Sequence, residues 1–312
     1  MLILAPMQGL TGLPFRKAFH HTFGDVFDYA ISPFISLTHG NLSLADKKIA
    51  DVLPQNNAGS MPVVPQILGS EIPEFVDLAN RLYEVGYTEA NWNLGCPMPR
   101  VTRKTRGSGL LPYPDRVAEV LQALTKGTPL RISIKMRLGL NSENDIFGLI
   151  PVLNSFPIAS ITIHPRTAAE QYSGPLRLQC LQKVLPQIKH KIIFNGEINT
   201  LADYLETSLR FPEIHDFMIG RGAVADPLLP LKILNRNDYS DKALIITFLQ
   251  NLCGDIELLH IPDKSKANKL KEYWGLMRKG VAKQCRETEK PLHISRFEDV
   301  AKSIIDIIDD GI

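Results

Sequence analysis

Cys96 lies in Asn93-Leu94-Gly95-Cys96-Pro97, at the end of an apolar run that Gly95 and Pro97 turn sharply into a loop. A thiol with a pKa of about 8.5 stays largely protonated at neutral pH. It can therefore act as a general acid toward a developing carbanion, which an already ionised carboxylate cannot do. A cysteine is more often inert packing than chemistry, and this is the expectation for Cys180, Cys253 and Cys285. The four share no CxxC spacing, which argues against a disulfide framework and against a sequence-local zinc site, so no metal is expected.

Lys135 sits inside the run Ile132-Ser133-Ile134-Lys135-Met136, where burying a cation is costly unless a partner neutralises it. An anionic ligand would be such a partner, for instance a reduced flavin, which is negative on its pyrimidine side. An internal ion pair with Glu197 or Asp145 is the alternative. Two glycine-containing turns, Asn195-Gly196-Glu197 and Gly220-Arg221-Gly222, end successive runs and suit backbone cradling of a phosphate, with Arg221 adding charge. His164 and Arg166 stand at alternate positions of one strand end, so they should point the same way, and both could bind phosphate. A core histidine satisfied by backbone is the alternative for His164. The stretch Arg100 to Gly109 holds Arg100, Arg103, Lys104 and Arg106 and no acid, so beside such a site it would attract a polyanion, although a solvated loop is the default.

The elements that must position these residues form a regular series. Eight short apolar runs, Leu2–Ala5, Tyr29–Ser32, Val63–Leu68, Ala90–Asn93, Arg131–Met136, Ser160–His164, Lys191–Asn195 and Asp216–Ile219, alternate with helix-compatible segments. Eight suits a closed (β/α)8 TIM barrel, whereas a doubly wound sheet usually has five to seven strands. Helices are expected over Pro73–Val85, stopped by Gly86, and over Pro114–Leu124 and Leu201–Leu209. The connection Gly40–Gly59 has no evident role. From about Ser240 no strand-like alternation appears, so a small all-helical C-terminal domain is expected, giving domains at 1–238 and 239–312.

With 312 residues, 44% hydrophobic and 22% charged, the composition is that of a globular protein and not of a disordered one. Met1 to Leu10 has neither a basic n-region nor a long apolar core, so a cytoplasmic location with no membrane contact is expected. Net charge is only +2, but Lys264 to Arg296 carries ten cations against three acids. Lys266, Lys269 and Lys279 of that stretch are candidate nucleic-acid contacts.

Ala5-Pro6-Met7 with Phe15-Arg16, Asn93-Leu94-Gly95-Cys96-Pro97, Lys135-Met136-Arg137, His164-Pro165-Arg166-Thr167, Asn195-Gly196-Glu197 and Ile219-Gly220-Arg221-Gly222 stand in an order that resembles the tRNA-dihydrouridine synthases. Each motif alone is weak, while the ordered set, from Leu2 to about Ala223, is specific. The resemblance implies a barrel holding FMN, reduced by NADPH or NADH, and a helical domain that docks tRNA. It places Pro6, Met7, Gln8 and Gln66 on the isoalloxazine ring and Lys135 at its pyrimidine edge. Asn195, Gly196, Glu197, Gly220 and Arg221 fall on the ribityl phosphate side, and His164 and Arg166 where flavin phosphate and substrate are held. Asn93 would position the uracil, and Cys96 would protonate C5 after hydride reaches C6 from flavin N5. Pro165 stands where the family usually has glycine, Leu110 where it has a small residue, and Asn-Gly-Glu replaces the commoner Asn-Gly-Asp. These departures look like some bacterial branches, including the one acting on the 5′ side of the D-loop. A monomer is expected. The rival readings are another FMN barrel acting on a small molecule, such as a dihydroorotate dehydrogenase or an enoate reductase, and a non-catalytic RNA-binding protein on a barrel scaffold.

Overall fold

Strands that are joined through helices pair in parallel, because a crossover connection takes a dozen or more residues. The computed structural model describes residues 1–36, 47–236 and 241–311. Its strands are β1 (Leu2–Leu4), β2 (Tyr29–Ile31), β3 (Ile35–Ser36), β4 (Val63–Val64), β5 (Gln66–Leu68), β6 (Glu89–Leu94), β7 (Arg131–Gly139), β8 (Ile158–Thr167), β9 (Ile192–Phe194) and β10 (Asp216–Ile219). Every pairing is parallel.

The ten strands occupy eight positions. β2 and β3 are two pieces of one pass across the sheet, interrupted around Pro33, and β4 and β5 are two pieces of the next, interrupted at Pro65. Proline has no amide to give to the ladder, which is why these passes break where they do. Because β2 pairs with β4, β3 with β5, and β1 with β10 through Leu2↔Phe217 to Leu4↔Ile219, the ring closes. The eight-run reading thus holds in number. It took Val63–Leu68 as unbroken and passed over Ile35–Ser36, which is too short to carry a pattern.

Around the sheet lie α1 (Leu13–Phe23), α2 (Lys47–Ala50), α3 (Ile72–Glu84), α4 (Pro99–Thr102), α5 (Pro114–Gly127), α6 (Asp145–Leu153), α7 (Leu178–Val184) and α8 (Leu201–Arg210); α9 (Arg221–Ala225) and α10 (Leu229–Ile233) follow β10. α3 buries Phe75, Leu78, Ala79 and Leu82, the i, i+3, i+4, i+7 face expected of an amphipathic helix. It gives way to Gly86, whose φ of 104° is a conformation glycine adopts without penalty. α8 opens on a capping box between Thr200 and Asp203.

Three helices, α11 (Asp241–Glu257), α12 (Asp263–Met277) and α13 (Phe297–Gly311), form the carboxyl-terminal region. Their core is continuous with that of the barrel: Phe248 of α11 packs on Phe15 and Phe23 of α1, each 5.6 Å away between ring centres. The boundary expected at 238/239 lies outside the described residues. Part of the Gly40–Gly59 connection is described, and its role is visible there. Buried Arg16 donates to Asp51 Oδ2 (3.0 Å) and to Asn57 Oδ1 (3.0 Å), while Asp51 Oδ1 accepts the Leu13 amide, which ties this segment to the start of α1. Among the described residues no helix is long and apolar enough to cross a membrane.

Candidate active site

At the carboxyl ends of the strands, the face that carries function in such barrels, a cavity of about 550 Å³ opens. Of the residues singled out from the sequence, Pro6, Met7, Gln8, Gln66, Asn93, Cys96, Arg100, Lys135, His164, Asn195, Gly196, Gly220 and Arg221 line it. Pro6 to Gln8 are held there by Thr11, whose hydroxyl accepts the Met7 amide and donates to the Ala5 carbonyl, both at 2.8 Å.

A ladder of amides fixes one wall. Asn93 Nδ2 donates to Gln66 Oε1 (2.8 Å), Gln66 Nε2 to Asn91 Oδ1 (2.8 Å), and Asn91 Nδ2 to Ser133 Oγ (3.0 Å). At its top, Asn93 Oδ1 accepts the amides of Gly95 (3.0 Å) and Cys96 (2.9 Å) and so sets the turn that carries the thiol. Burial pushes the Cys96 thiol up from its usual 9.0, against the opposing Met98 amide and the charges of Arg100, Arg137 and Lys135. The thiol is therefore protonated at neutral pH. Gly107 is required beside it, since it has a φ of 55° and a Cβ there would meet Cys96 Cβ at 3.0 Å.

Lys135 stands on the neighbouring strand, with Asn93 and Lys135 in register. Its ammonium has no ion-pair or hydrogen-bond partner among the described residues. The two internal candidates are engaged elsewhere: Glu197 pairs with Arg166 and Arg221, and Asp145 accepts the Leu140 amide (2.9 Å). Desolvation at the foot of the cavity, helped by the Arg137 charge and opposed by Cys96, pulls Lys135 down to about 7. His164 Nε2 and Thr162 Oγ1 are buried and also without hydrogen-bond partners. Burial and the surrounding Lys135, Arg137, Arg166 and Arg221 push His164 well below 6.5. It is a neutral imidazole that could offer a phosphate a hydrogen bond but no charge.

Arg166 and Glu197 do not reach the cavity. Between Arg137↔His164 and Gly139↔Thr167 the β8 strand takes one residue more than β7, an irregularity that breaks simple alternation. Arg166 turns to Gly174 O (2.6 Å) and to Glu197, which in turn holds Arg221. Burial would raise the Glu197 carboxyl, but the Arg166 hydrogen bond and the Arg221 charge prevail and keep it low. Gly222 is indispensable to the second glycine turn, because a Cβ there would collide with the Ile198 carbonyl.

Arg103, Lys104 and Arg106 do not line the cavity. The loop they belong to is partly ordered as α4 and a 3-10 turn at Gly107–Leu110, with Arg103 and Lys104 exposed. In the tail, Lys279 is exposed, whereas Lys266 donates to Glu257 O (2.5 Å) and Lys269 to Gly9 O (2.7 Å). Eight lining residues were not anticipated, Leu10, Pro33, Met98 and Asn199 among them. Phe34 follows the broken second strand, Tyr172 packs its ring against the guanidinium groups of Arg137 (5.2 Å) and Arg221 (4.8 Å), and Glu272 and Leu276 come from α12. Nothing in the local sequence marks Tyr172, Glu272 or Leu276, which reach the site by tertiary packing.

The arrangement fits a flavin. It offers an unpaired cation and an unpartnered imidazole nitrogen at one wall, an apolar loop at Pro6–Met7, and two glycine turns, at Gly196 and at Gly220–Gly222, among its lining residues. Among the described residues no group of side chains is arranged to hold a metal.

A family model described as dihydrouridine synthase matches residues 3–290. The chain is similar to tRNA-dihydrouridine synthase B of Pasteurella multocida, 29% identical over 291 residues, which covers 93% of this chain and 81% of the relative. It is also similar to tRNA-dihydrouridine(16) synthase of Cupriavidus necator, 30% identical over 275 residues, 83% of this chain and 84% of the relative. Among solved structures it resembles the old yellow enzyme of Trypanosoma cruzi, with a TM-score of 0.55 at 9% identity over 77% of this chain and 89% of the other. The old yellow enzyme homologue of Zymomonas mobilis gives 0.54 at 11% identity over 79% and 91%. These two likenesses speak for the barrel fold.

Proposed function

The chain belongs to the dihydrouridine synthase family, and on that premise we infer that it is a flavin-dependent enzyme that reduces uridines of tRNA to 5,6-dihydrouridine. In the finer reading we propose, the flavin is FMN, the reductant is NADPH and the proton donor is Cys96. The observation that carries it is a protonated thiol on the turn after β6 and an unpaired lysine on β7 lining one cavity.

When bound, reduced FMN would supply the hydride that reaches C6 of the uracil. The chain's own residues do the rest. Pro6, Met7 and Gln8 would shape the cavity against the ring, and Gln66, fixed by Asn91 and Asn93, would present its amide there. Lys135 would neutralise negative charge on the pyrimidine side, which at the same time relieves its own desolvation. Asn195, Gly196, Gly220 and Arg221 would receive the phosphate, with Glu197 acting indirectly by orienting Arg221. His164 would add a neutral hydrogen bond. As negative charge develops on the uracil, Cys96 Sγ would give its proton to C5, and Asn93 keeps that thiol in place through the Cys96 amide.

The substrate base has to leave its stack to enter a cavity of this depth, which favours a loosely structured loop of tRNA. Of the cations singled out from the sequence, Arg100, Arg103 and Lys104 beside the cavity and Lys279 on the tail are exposed and placed to meet phosphates. The test is to load purified protein with FMN, add NADPH and unmodified tRNA, and measure dihydrouridine. We expect dihydrouridine to form. Faster reduction of orotate or of an enone than of tRNA would overturn this reading in favour of a small-molecule reductase, and failure to take up FMN would overturn it in favour of a binding protein.

A further inference from the structure

One face of α12, formed by Lys269, Glu272, Tyr273 and Leu276 at i, i+3, i+4 and i+7, is turned toward the barrel mouth. Glu272 and Leu276 line the cavity itself. The other two grip the loop that follows β1. Lys269 Nζ donates to the Gly9 carbonyl (2.7 Å), and the Tyr273 hydroxyl donates to the Leu10 carbonyl (2.5 Å). Both donors pack against aromatic rings. Tyr273 is buried and stacks on Phe15 of α1 at 5.8 Å with 12° between ring planes, and the Lys269 ammonium lies 5.7 Å from the centre of the Tyr273 ring.

The gripped carbonyls belong to the two residues directly after Pro6, Met7 and Gln8. Gly9 has a φ of 85°, and a Cβ at that position would meet Glu272 Oε2 at 3.2 Å, so loop and helix are in close approach. Within the loop the amides of Leu10 and Thr11 return to Met7 O at 3.0 and 3.1 Å. A displacement at Gly9–Leu10 is therefore passed to Met7 through two short turns.

We propose that Lys269 and Tyr273 are positioning residues for the flavin site: they latch the helical tail onto the Pro6–Leu10 loop, so that the ring-facing wall of the cavity is built only when α12 is seated. This rests on the flavin reading above and assigns to the tail a part in holding the cofactor, in addition to meeting RNA. Lys269, which its charge alone would mark as a phosphate contact, is on this account committed to the latch.

The experiment strips FMN from the full chain and titrates it back, following quenching of flavin fluorescence and the visible spectrum of the bound flavin. Tyr273→Phe removes one hydrogen bond and keeps the stack. Lys269→Met keeps the stem and removes the donor. Each is expected to weaken FMN binding about tenfold, the equivalent of one hydrogen bond to a positioned carbonyl, and to alter the visible band. Lys269→Arg should restore both. Lys302→Met, an exposed cation on α13, serves as control and should bind FMN as the parent does. If Tyr273→Phe fails to fold, Lys269→Met decides alone. Variants that melt earlier yet bind FMN with parental affinity and spectrum would overturn the latch and leave only a structural role, while a parent protein that takes up no FMN would overturn the flavin reading on which it stands.

Discussion

The cost of leaving Lys135 without a partner can be measured. The unfolded chain titrates this lysine near 10.5, and the fold holds it at about 7. Below pH 7 both states carry the ammonium, so the folded state bears the full penalty of desolvating it. Between pH 7 and 10.5 the folded state has released the proton and the unfolded state has not, so stability rises with pH by at most about 1.4 kcal/mol per pH unit. Above 10.5 the penalty is gone. The upper bound is about 5 kcal/mol, and because the cavity admits water, about 2–4 kcal/mol is the figure to expect.

Lys135→Met keeps the length of the stem and removes the charge. FMN-free protein carrying it should be more stable than the parent by about 2–4 kcal/mol at pH 6–7, visible as a rise of several degrees in Tm. The gap should shrink as pH climbs toward 10. FMN affinity should move the other way, falling by about ten- to a hundredfold because a charge-assisted hydrogen bond is removed. Thermal melts of the stripped proteins across pH, with FMN titrations alongside, read both. A stripped variant no more stable than the parent at pH 7, or a gap that widens as pH rises, would refute the reasoning.

Three further outcomes are expected. Cys96→Ala should retain FMN and NADPH oxidation but lose about 10²–10⁴-fold in dihydrouridine formation, as befits removal of one general acid; in the parent, loss of the proton donor on the alkaline side should begin only above the usual thiol value of 9.0, as a pH profile of single-turnover product formation would report. Gly222→Ala, which drives a methyl into the Ile198 carbonyl, should cost about 1–3 kcal/mol of stability and weaken FMN binding, by denaturant melts and titration. Neutralising Arg103, Lys104 and Lys279 together should flatten the dependence of log affinity for tRNA on log salt by about two units, at about 0.7 for each phosphate no longer neutralised, as filter binding across ionic strength would show.

Much of the site was legible because barrel chemistry gathers at strand ends, and strand ends can be read. Cys96, Lys135, Asn195-Gly196 and Gly220-Arg221-Gly222 each follow or sit within a recognisable run, and a buried cation or a glycine turn has few uses there. Legibility stopped where position depends on packing between distant parts of the chain. Glu272 and Leu276 face the cavity because α12 packs onto the barrel, where Phe15 of α1 stacks against Tyr273 of α12. Arg166 was expected to share the direction of His164, and the irregular register of β8 sends it to Glu197 instead. Lys266 and Lys269 of the tail were read as nucleic-acid contacts, yet the carbonyls of Glu257 and Gly9 take them up.

The cations around His164 are not alike, and the difference assigns the two ends of the cavity. Arg137 gives its donors to the carbonyls of Gly95, Thr167 and Gln171, and Arg166 and Arg221 share the carboxylate of Glu197. Each of these guanidinium groups is thus held in place by hydrogen-bond or ion-pair partners, although one carboxylate offsets only one of the two charges that share it. Lys135 is uncompensated, and the buried imidazole nitrogen that shares its cavity is also unpartnered. Such a group lowers stability in the ligand-free protein, which makes sense if a ligand supplies the missing negative charge at that wall. On the proposed flavin reading, the phosphate would then depend on the glycine turns and on Arg221, since neutral His164 contributes no charge. Cys96 feels the Lys135 charge, which favours the thiolate, but burial opposes it more strongly and keeps the proton on sulfur. The thiol and the cation can therefore share the cavity without the cation discharging the thiol, which is what the proposed protonation beside a charged ring would require.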